Sequence, residues 1–271
     1  MSDGSAKPEE IADVLRVERR PDGVVVLTLN DPGRRNAMSD EMTAAWKATM
    51  ADLRADAQVR CVVLTGAGSA FSSGGDLSWL ADSGAVAVPA LRDRMLAFYR
   101  TWLAIRDLEV PTIAALNGHA VGAGLCLALA CDLRYAASGA KLLAPFTALG
   151  LHPGMAATWL FPEVAGLPLA REMLLAGRVL TGAEAEQGGL VNRAVPGDVL
   201  GEALAVAERV AAQAPVATRL TKVALANGGH PDMESALRWE SLAQPVTMAS
   251  ADMREGIAAQ REKRAPRFTG A

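Results

Sequence analysis

Apolar and polar positions change rhythm several times along the chain, and each change marks an element. Val14 to Arg19 alternates, as a half-buried strand does, and Val24 to Leu29 is a second, β-branched run. Asp22-Gly23 between them is a hairpin turn signal, and Asn30-Asp31-Pro32-Gly33 breaks the second strand. Ser39 is an N-cap candidate, with Glu41 in the first turn, for a helix to about Arg54. Along it Met42, Ala45, Trp46, Met50 and Leu53 recur at helical spacing, the mark of a core-facing stripe. Arg60 to Thr65 reads as a buried strand, Leu91 to Leu108 as a helix ending before Pro111, and Thr112 to Leu116 and Asp132 to Ala137 as further strands. Between them, Trp79 to Leu91 is weakly patterned around Asp82-Ser83-Gly84 and Pro89, which fits a flap over a pocket or an ordinary variable loop. Thr181 caps a helix over Ala183 to Gln187, stopped by Gly188-Gly189. From Asp198 onward the pattern is helical: Val199–Gln213, Val216–Ala226, Asp232–Met248 and Ala251–Arg264.

The pattern centres on Leu116 to Tyr135, LNGHAVGAGLCLALACDLRY. A polar turn, Asn117-Gly118-His119, leads into Gly122-Ala123-Gly124, and the small apolar run Leu125 to Ala130 stops at Cys131-Asp132. This predicts a short, fully buried helix with its N-terminus in the glycine turn. Glycines there let another group approach the backbone closely. The first N–H groups of a helix lack intrahelical acceptors and lie at the positive end of its dipole, so they suit a developing negative charge. A core helix with a glycine turn and no chemistry has the same pattern.

Composition narrows the function classes. The 271 residues are 51% hydrophobic and 21% charged, enough for one large soluble domain or a domain with an appendage. A net charge of −3 and a pI near 5.7 provide no drive toward nucleic acid. Cys61, Cys126 and Cys131 lie in apolar segments without framework spacing, which fits reduced thiols in a cytoplasmic protein. His119, His152 and His230 are scattered and show no metal spacing, so no metal site is expected. Residues 1–13 are polar and acidic, read as a mobile tail without a secretory signal. The longest apolar run, Val121 to Cys131, is far short of the roughly 18 residues a membrane helix needs.

A second stretch changes the reading of the buried helix. Val59 to Leu77, VRCVVLTGAGSAFSSGGDL, is a strand, an exit turn at Gly66-Ala67-Gly68-Ser69, and FSSGGDL with two glycines before an acid. FSSGGDL followed by NGHAVGAG resembles the crotonase superfamily of enoyl-CoA hydratases, isomerases and relatives, and the resemblance runs from about Val14 to Phe268. It implies an α/β fold, the ClpP-like crotonase spiral of ββα units, over residues 14–197, closed by Arg178 to Val195. A C-terminal helical oligomerisation region, 198–271, would follow, in a homotrimer or dimer of trimers. Strands ending at Asn30, Gly66 and Asn117, each followed by a loop and a helix, trace that spiral faintly.

The resemblance also implies an acyl-CoA substrate, with no cofactor beyond the coenzyme A that the substrate carries. Its thioester oxygen would lie between the N–H groups of Gly75 and Ala123, in a pocket that includes Gly74, Asp76, Leu77 and Ser78. One such donor is worth about 3–4 kcal/mol of barrier. Arg34 and Arg35 would run along the nucleotide part of coenzyme A, or are solvated loop charges. Lys263 and Arg264 resemble the basic helix end that approaches its phosphates, or simply complement a helix dipole. Leu80, Met95, Phe98 and Leu143 would line or support the pocket.

The acid and base groups are where the chain departs from the family. Hydratases of the family carry one glutamate two residues past the glycine turn, here Cys126, and a second four residues before the Gly-x-x-Pro-Gly turn, here Phe146. Some isomerases place an aspartate after the proline of that turn, here Gly154. A positioned acid or base contributes about 10²–10⁴-fold each. His152 in the turn is the titratable candidate that remains, with Asp76 beside the first donor behind it. His119 is expected to be structural. The expected function is thus an enoyl-CoA hydratase/isomerase-family enzyme in which hydration is in question. The alternatives are a catalytically silent acyl-CoA-binding protein and a CoA-thioester isomerase or hydrolase. A dinucleotide fingerprint fails because Phe71 stands where G-x-G-x-x-G needs its third glycine. A serine hydrolase using Ser72 or Ser73 with His119 or His152 lacks the G-x-S-x-G elbow.

Overall fold

The computed structural model describes residues 14–76, 86–226 and 229–271. The expected tail, the expected pocket residues Leu77 and Ser78, and residues 79–85 of the expected flap, with Leu80, lie outside the described residues. Leu15–Arg19 (β1) and Val24–Leu29 (β2) pair antiparallel across the Asp22-Gly23 turn. Ser39 caps Asp40–Ala55 (α1), its Oγ accepting from the Met42 N–H at 3.2 Å. Three turns of one unit follow. Cys61–Gly66 (β3), Ala70–Ser72 (β4) and Val88–Leu103 (α2) form the first. Thr112–Leu116 (β5), His119–Val121 (β6) and Ala123–Leu129 (α3) form the second. Leu133–Ala137 (β7), Lys141–Leu143 (β8) and Ala157–Leu175 (α4) form the third. Leu180–Thr181 (β9), Gly182–Gln187 (α5) and Arg193–Val195 (β10) close the core.

Each unit lays its first strand in one sheet and its second in another. Among the described residues, a six-stranded sheet runs β1-β2-β3-β5-β7-β10 and a four-stranded sheet runs β4-β6-β8-β9. All pairings are parallel except β1–β2 and β8–β9. Parallel neighbours need a crossover, and the helices provide it. The result is the expected ββα spiral. β3 is buried at every position, as a strand covered on both faces must be. One face meets α3 and α4; on the other, Val24, Val26, Val63 and Ile113 pack against Val199, Ala203, Val206 and Ala207 of Val199–Ala211 (α6).

Two helices depart most from the reading of the sequence. α2 begins at Val88 rather than Leu91, because Pro89 sits in its first turn, where a missing N–H costs nothing. α4 has no counterpart in the expected elements. Gly166, at φ +75° and ψ 162°, kinks it, and Pro162 and Pro168 flank the kink and disguise its helical character. Pro215–Leu225 (α7), Met233–Met248 (α8) and Ala251–Glu262 (α9) complete the chain. Lys222 docks α7 on the core, its Nζ donating to the Val110 carbonyl at 2.8 Å and pairing with Asp132 at 2.9 Å.

Two packing features hold the region where the sheets' loops meet. Trp46 of α1 and Trp102 of α2 are fully buried and stacked, with ring centroids 4.9 Å apart. Each indole N–H donates across the helix pair, Trp46 to the Thr101 carbonyl at 3.1 Å and Trp102 to the Thr43 hydroxyl at 3.0 Å. The second feature is Asn36, fully buried at φ +56°, a left-handed conformation that asparagine tolerates better than most residues. Its amide nitrogen donates to the carbonyls of Ala67, Ala70 and Phe71 at 2.9, 2.8 and 3.2 Å, and its oxygen accepts from the Asp31 N–H at 2.9 Å. Asn36→Ala leaves those buried groups unpaired and is expected to cost about 2–4 kcal/mol. Chemical denaturation measures this, and an unchanged midpoint would show that the loop is held by something else.

Candidate active site

Two glycine loops meet in the wall of a cleft of about 1290 Å³. The first leaves β4. Ser72 Oγ donates to the Asn36 carbonyl at 2.8 Å and accepts from the Gly74 N–H at 3.1 Å. The Met38 N–H donates to the Gly74 carbonyl at 2.8 Å, and the Ser73 N–H to the Arg35 carbonyl at 2.9 Å. These bonds engage the backbone on either side of Gly75. The Gly75 N–H itself donates no hydrogen bond among the described residues, and a Cβ built there would meet nothing within 4 Å.

The second loop opens α3. Gly122 sits at φ +52° and ψ −116°, which residues with side chains avoid, and its N–H donates to the Leu143 carbonyl at 2.9 Å. Leu143 thus supports the loop and does not line the cleft. The first bond of the helix runs from the Cys126 N–H to the Gly122 carbonyl at 3.0 Å, so the Ala123 N–H precedes every intrahelical donor. α3 is buried along its whole length, as expected. The loops touch through Gly74, at φ +86°: a Cβ there would lie 2.5 Å from the Val121 carbonyl oxygen and 3.1 Å from the Ala123 nitrogen. Gly75 and Ala123 line the same cleft.

Of the three positions where the resemblance implies acids, Phe146 and Gly154 line that cleft and Cys126 lies behind it. Phe146 lies over the second loop, its ring 3.7 Å from where a Gly122 Cβ would stand. Cys126 is fully buried behind the wall with Sγ 3.9 Å from the Gly154 carbonyl, and burial pushes its thiol far above the ordinary range, so it stays protonated. Gly154 faces the Tyr99 hydroxyl. His152 lines the cleft, and its Nδ1 lies 2.9 Å from the Pro153 carbonyl oxygen. A carbonyl only accepts, so Nδ1 carries the hydrogen in that contact and the neutral ring keeps its lone pair on Nε2.

The other expected residues divide. Arg34, Arg35 and Asp76 line the cleft, as do Met95 and Phe98. Arg34 is tied to Asp31, Nε to Oδ2 at 2.6 Å, whereas the Arg35 side chain makes no ion pair among the described residues. Lys263 ends α9 in a left-handed C-cap and is not among the residues lining the cleft. His119 is structural: its Nδ1 accepts from the Lys141 N–H at 2.9 Å. Tyr99 was not singled out in the sequence, although it falls on the same expected helix as the pocket candidates Met95 and Phe98. Among the described residues no group of three or more His, Cys, Asp or Glu side chains is placed to hold a metal ion. No described helix is long and apolar enough to cross a membrane.

Known proteins resemble this chain along nearly its whole length. The family model for enoyl-CoA hydratase/isomerase matches residues 19–271. The human protein named enoyl-CoA hydratase domain-containing protein 2, mitochondrial, is 38% identical over 276 residues, covering 99% of this chain and 93% of that protein. The crystal structure of enoyl-CoA hydratase from Bacillus anthracis has a TM-score of 0.89 at 33% identity, covering 95% of this chain and 100% of that chain. An enoyl-CoA hydratase from Polaromonas sp. JS666 has a TM-score of 0.87 at 31% identity, covering 94% of this chain and 99% of that chain.

The contact at Gly74 makes a direct prediction. Gly74→Ala combines an unfavourable φ with a clash against backbone, which cannot swing aside, and is expected to destabilise the fold by about 1–3 kcal/mol. Gly75→Ala, with open space around it, is expected to unfold within about 0.5 kcal/mol of the parent. Equal unfolding midpoints for the two variants would contradict the close approach of the loops.

Proposed function

The chain belongs to the enoyl-CoA hydratase/isomerase family of the crotonase superfamily, and from that premise we propose that it processes an acyl-CoA by forming an enolate. The thioester carbonyl oxygen lies between the N–H groups of Gly75 and Ala123. Charge moves onto that oxygen as the enolate forms, and each donor lowers the barrier by about 3–4 kcal/mol. His152 Nε2 takes the proton from the carbon beside the carbonyl. The imidazolium then returns it to the same carbon, giving exchange, or to the carbon two bonds further along an unsaturated chain, giving double-bond migration. Arg35 meets a phosphate of the coenzyme at the mouth of the cleft. No cofactor beyond the substrate's own coenzyme A enters this reading.

The observation that carries the proposal is the convergence of two backbone donors, Gly75 and Ala123, on one cleft through the contact at Gly74. Hydration is less well supported. Adding water across a double bond needs a group to activate the water and one to protonate the carbon, and Cys126, Phe146 and Gly154 supply neither. A second reading, a silent acyl-CoA-binding protein, draws on the same replacements. Two further readings accompany the first. The exposed apolar residues Met233, Leu237, Leu242 and Val246 of α8 support a homotrimer or dimer of trimers, and the buried free cysteines support a reducing, cytoplasmic setting.

Mass spectrometry of enoyl- and acyl-CoAs incubated with the protein in heavy water tests the reaction. Deuterium uptake or double-bond migration without net hydration is expected. A hydrated product would establish a hydratase, free coenzyme A a hydrolase, and unchanged but retained ligand a binding protein. Gly75→Pro removes one donor and is expected to slow the reaction at least about 100-fold, while Gly75→Ala stays near the parent rate. His152→Ala is expected to lower deuterium uptake by about 10²-fold or more. A parent-like rate in that variant would remove His152 from the mechanism.

A further inference from the structure

On the reading that this cleft holds a CoA thioester, we infer that Tyr99 is a specificity residue whose phenolic O–H donates a hydrogen bond to an oxygen carried on the acyl chain. The site then favours oxygenated acyl groups, of the 3-hydroxyacyl kind, over plain saturated ones.

The inference starts at Gly154. A Cβ built there would lie 2.4 Å from the Tyr99 hydroxyl oxygen and 3.0 Å from its Cζ. The phenol, supplied by α2, therefore fills the space into which a side chain at position 154 would project. Glycine at 154 and tyrosine at 99 belong together sterically. The ring is held from behind, edge-on to Phe98 with centroids 6.2 Å apart, and Phe98 packs in turn on Trp102 of the buried tryptophan pair. Tyr99 is thus carried on a rigid wall.

Its hydroxyl, however, has no partner among the described residues. Tyr99 lines the cleft beside Phe146, Leu151 and Met155, and its oxygen makes no hydrogen bond to any described residue. The oxygen keeps access to the cleft and is not one of the buried unpartnered atoms, so an oxygen on a bound chain can reach it. Burial raises the Tyr99 pKa above its ordinary value, so the group is an O–H donor throughout the neutral range. The thioester oxygen already has its two donors in Gly75 and Ala123. A third donor, beside Gly154 in the same cleft, is left for a second oxygen. Nearby Cys126 remains a neutral thiol, so no charged group there competes for that oxygen.

Isothermal titration of the full chain with 3-hydroxybutyryl-CoA and butyryl-CoA tests this. The parent is expected to bind the hydroxylated ligand about three- to tenfold more tightly. Tyr99→Phe, which keeps the ring and removes the donor, is expected to bind both ligands alike, with butyryl-CoA affinity unchanged within about twofold. Gly154→Ala keeps the donor but displaces it, and is expected to erase the preference in the same way, so it carries the test should Tyr99→Phe not fold. A merely structural Tyr99 would weaken both ligands together. No preference in the parent, or a preference that survives either variant, overturns the inference while leaving the thioester reading intact. Failure of the parent to bind either ligand overturns the thioester reading and this inference with it.

Discussion

Everything in the site depends on how closely two stretches of backbone approach at Gly74. Where a Cβ would stand there, the Val121 carbonyl oxygen is 2.5 Å away and the Ala123 nitrogen 3.1 Å. Any side chain at position 74 would force the loops apart. The contact brings together two N–H groups that no described residue engages, one from a loop and one from the start of a helix. Neither loop would hold this geometry alone. Asn36 ties the first to three carbonyls and an N–H, and the bond from Gly122 to Leu143 ties the second to its sheet. Donors fixed in this way need no reorganisation when charge appears on a bound oxygen, which is the source of their effect.

On the proposed reading the cleft keeps two backbone donors, while the acids that the family resemblance implies are replaced. Phe146 and Cys126 turn two acid positions into apolar wall, and the space beside Gly154 is taken by a phenol from another element. These changes suit one another. An unpaired carboxylate beside a buried thiol and a phenyl ring would pay a heavy desolvation cost, whereas a neutral hydroxyl and a turn histidine do not. The wall opposite the glycine loops is stiff because the stacked Trp46 and Trp102 each use their indole N–H to bond the neighbouring helix. That stiffness gives the placement of Tyr99 its meaning.

Much of this architecture was legible from local pattern. The hairpin at Asp22-Gly23, the Ser39 and Thr181 caps, the buried runs of β3 and α3 and the amphipathic C-terminal helices all rest on interactions within a few residues, so periodicity and capping chemistry report them directly. The second sheet was not legible. Its strands, Ala70–Ser72, His119–Val121, Lys141–Leu143 and Leu180–Thr181, are too short to carry a period of two and exist through pairing with one another. α4 was hidden by Pro162, Gly166 and Pro168, which locally oppose a helix that the core nevertheless stabilises on both sides of a kink.

For the site, the sequence by itself determined the two glycine loops and the residue types at 75, 123, 126, 146 and 154, from which the family resemblance implies two donors and three replaced acids, because each is a matter of residue type within a contiguous motif. Only the tertiary structure decided what those losses mean. It buried Cys126 beyond use, set His152 Nδ1 against the Pro153 carbonyl, left Lys263 outside the cleft of its own chain, and brought the Tyr99 hydroxyl beside Gly154 from another helix. Burial, hydrogen-bond partners and the direction a side chain takes are set by residues distant in sequence, so no local pattern can report them.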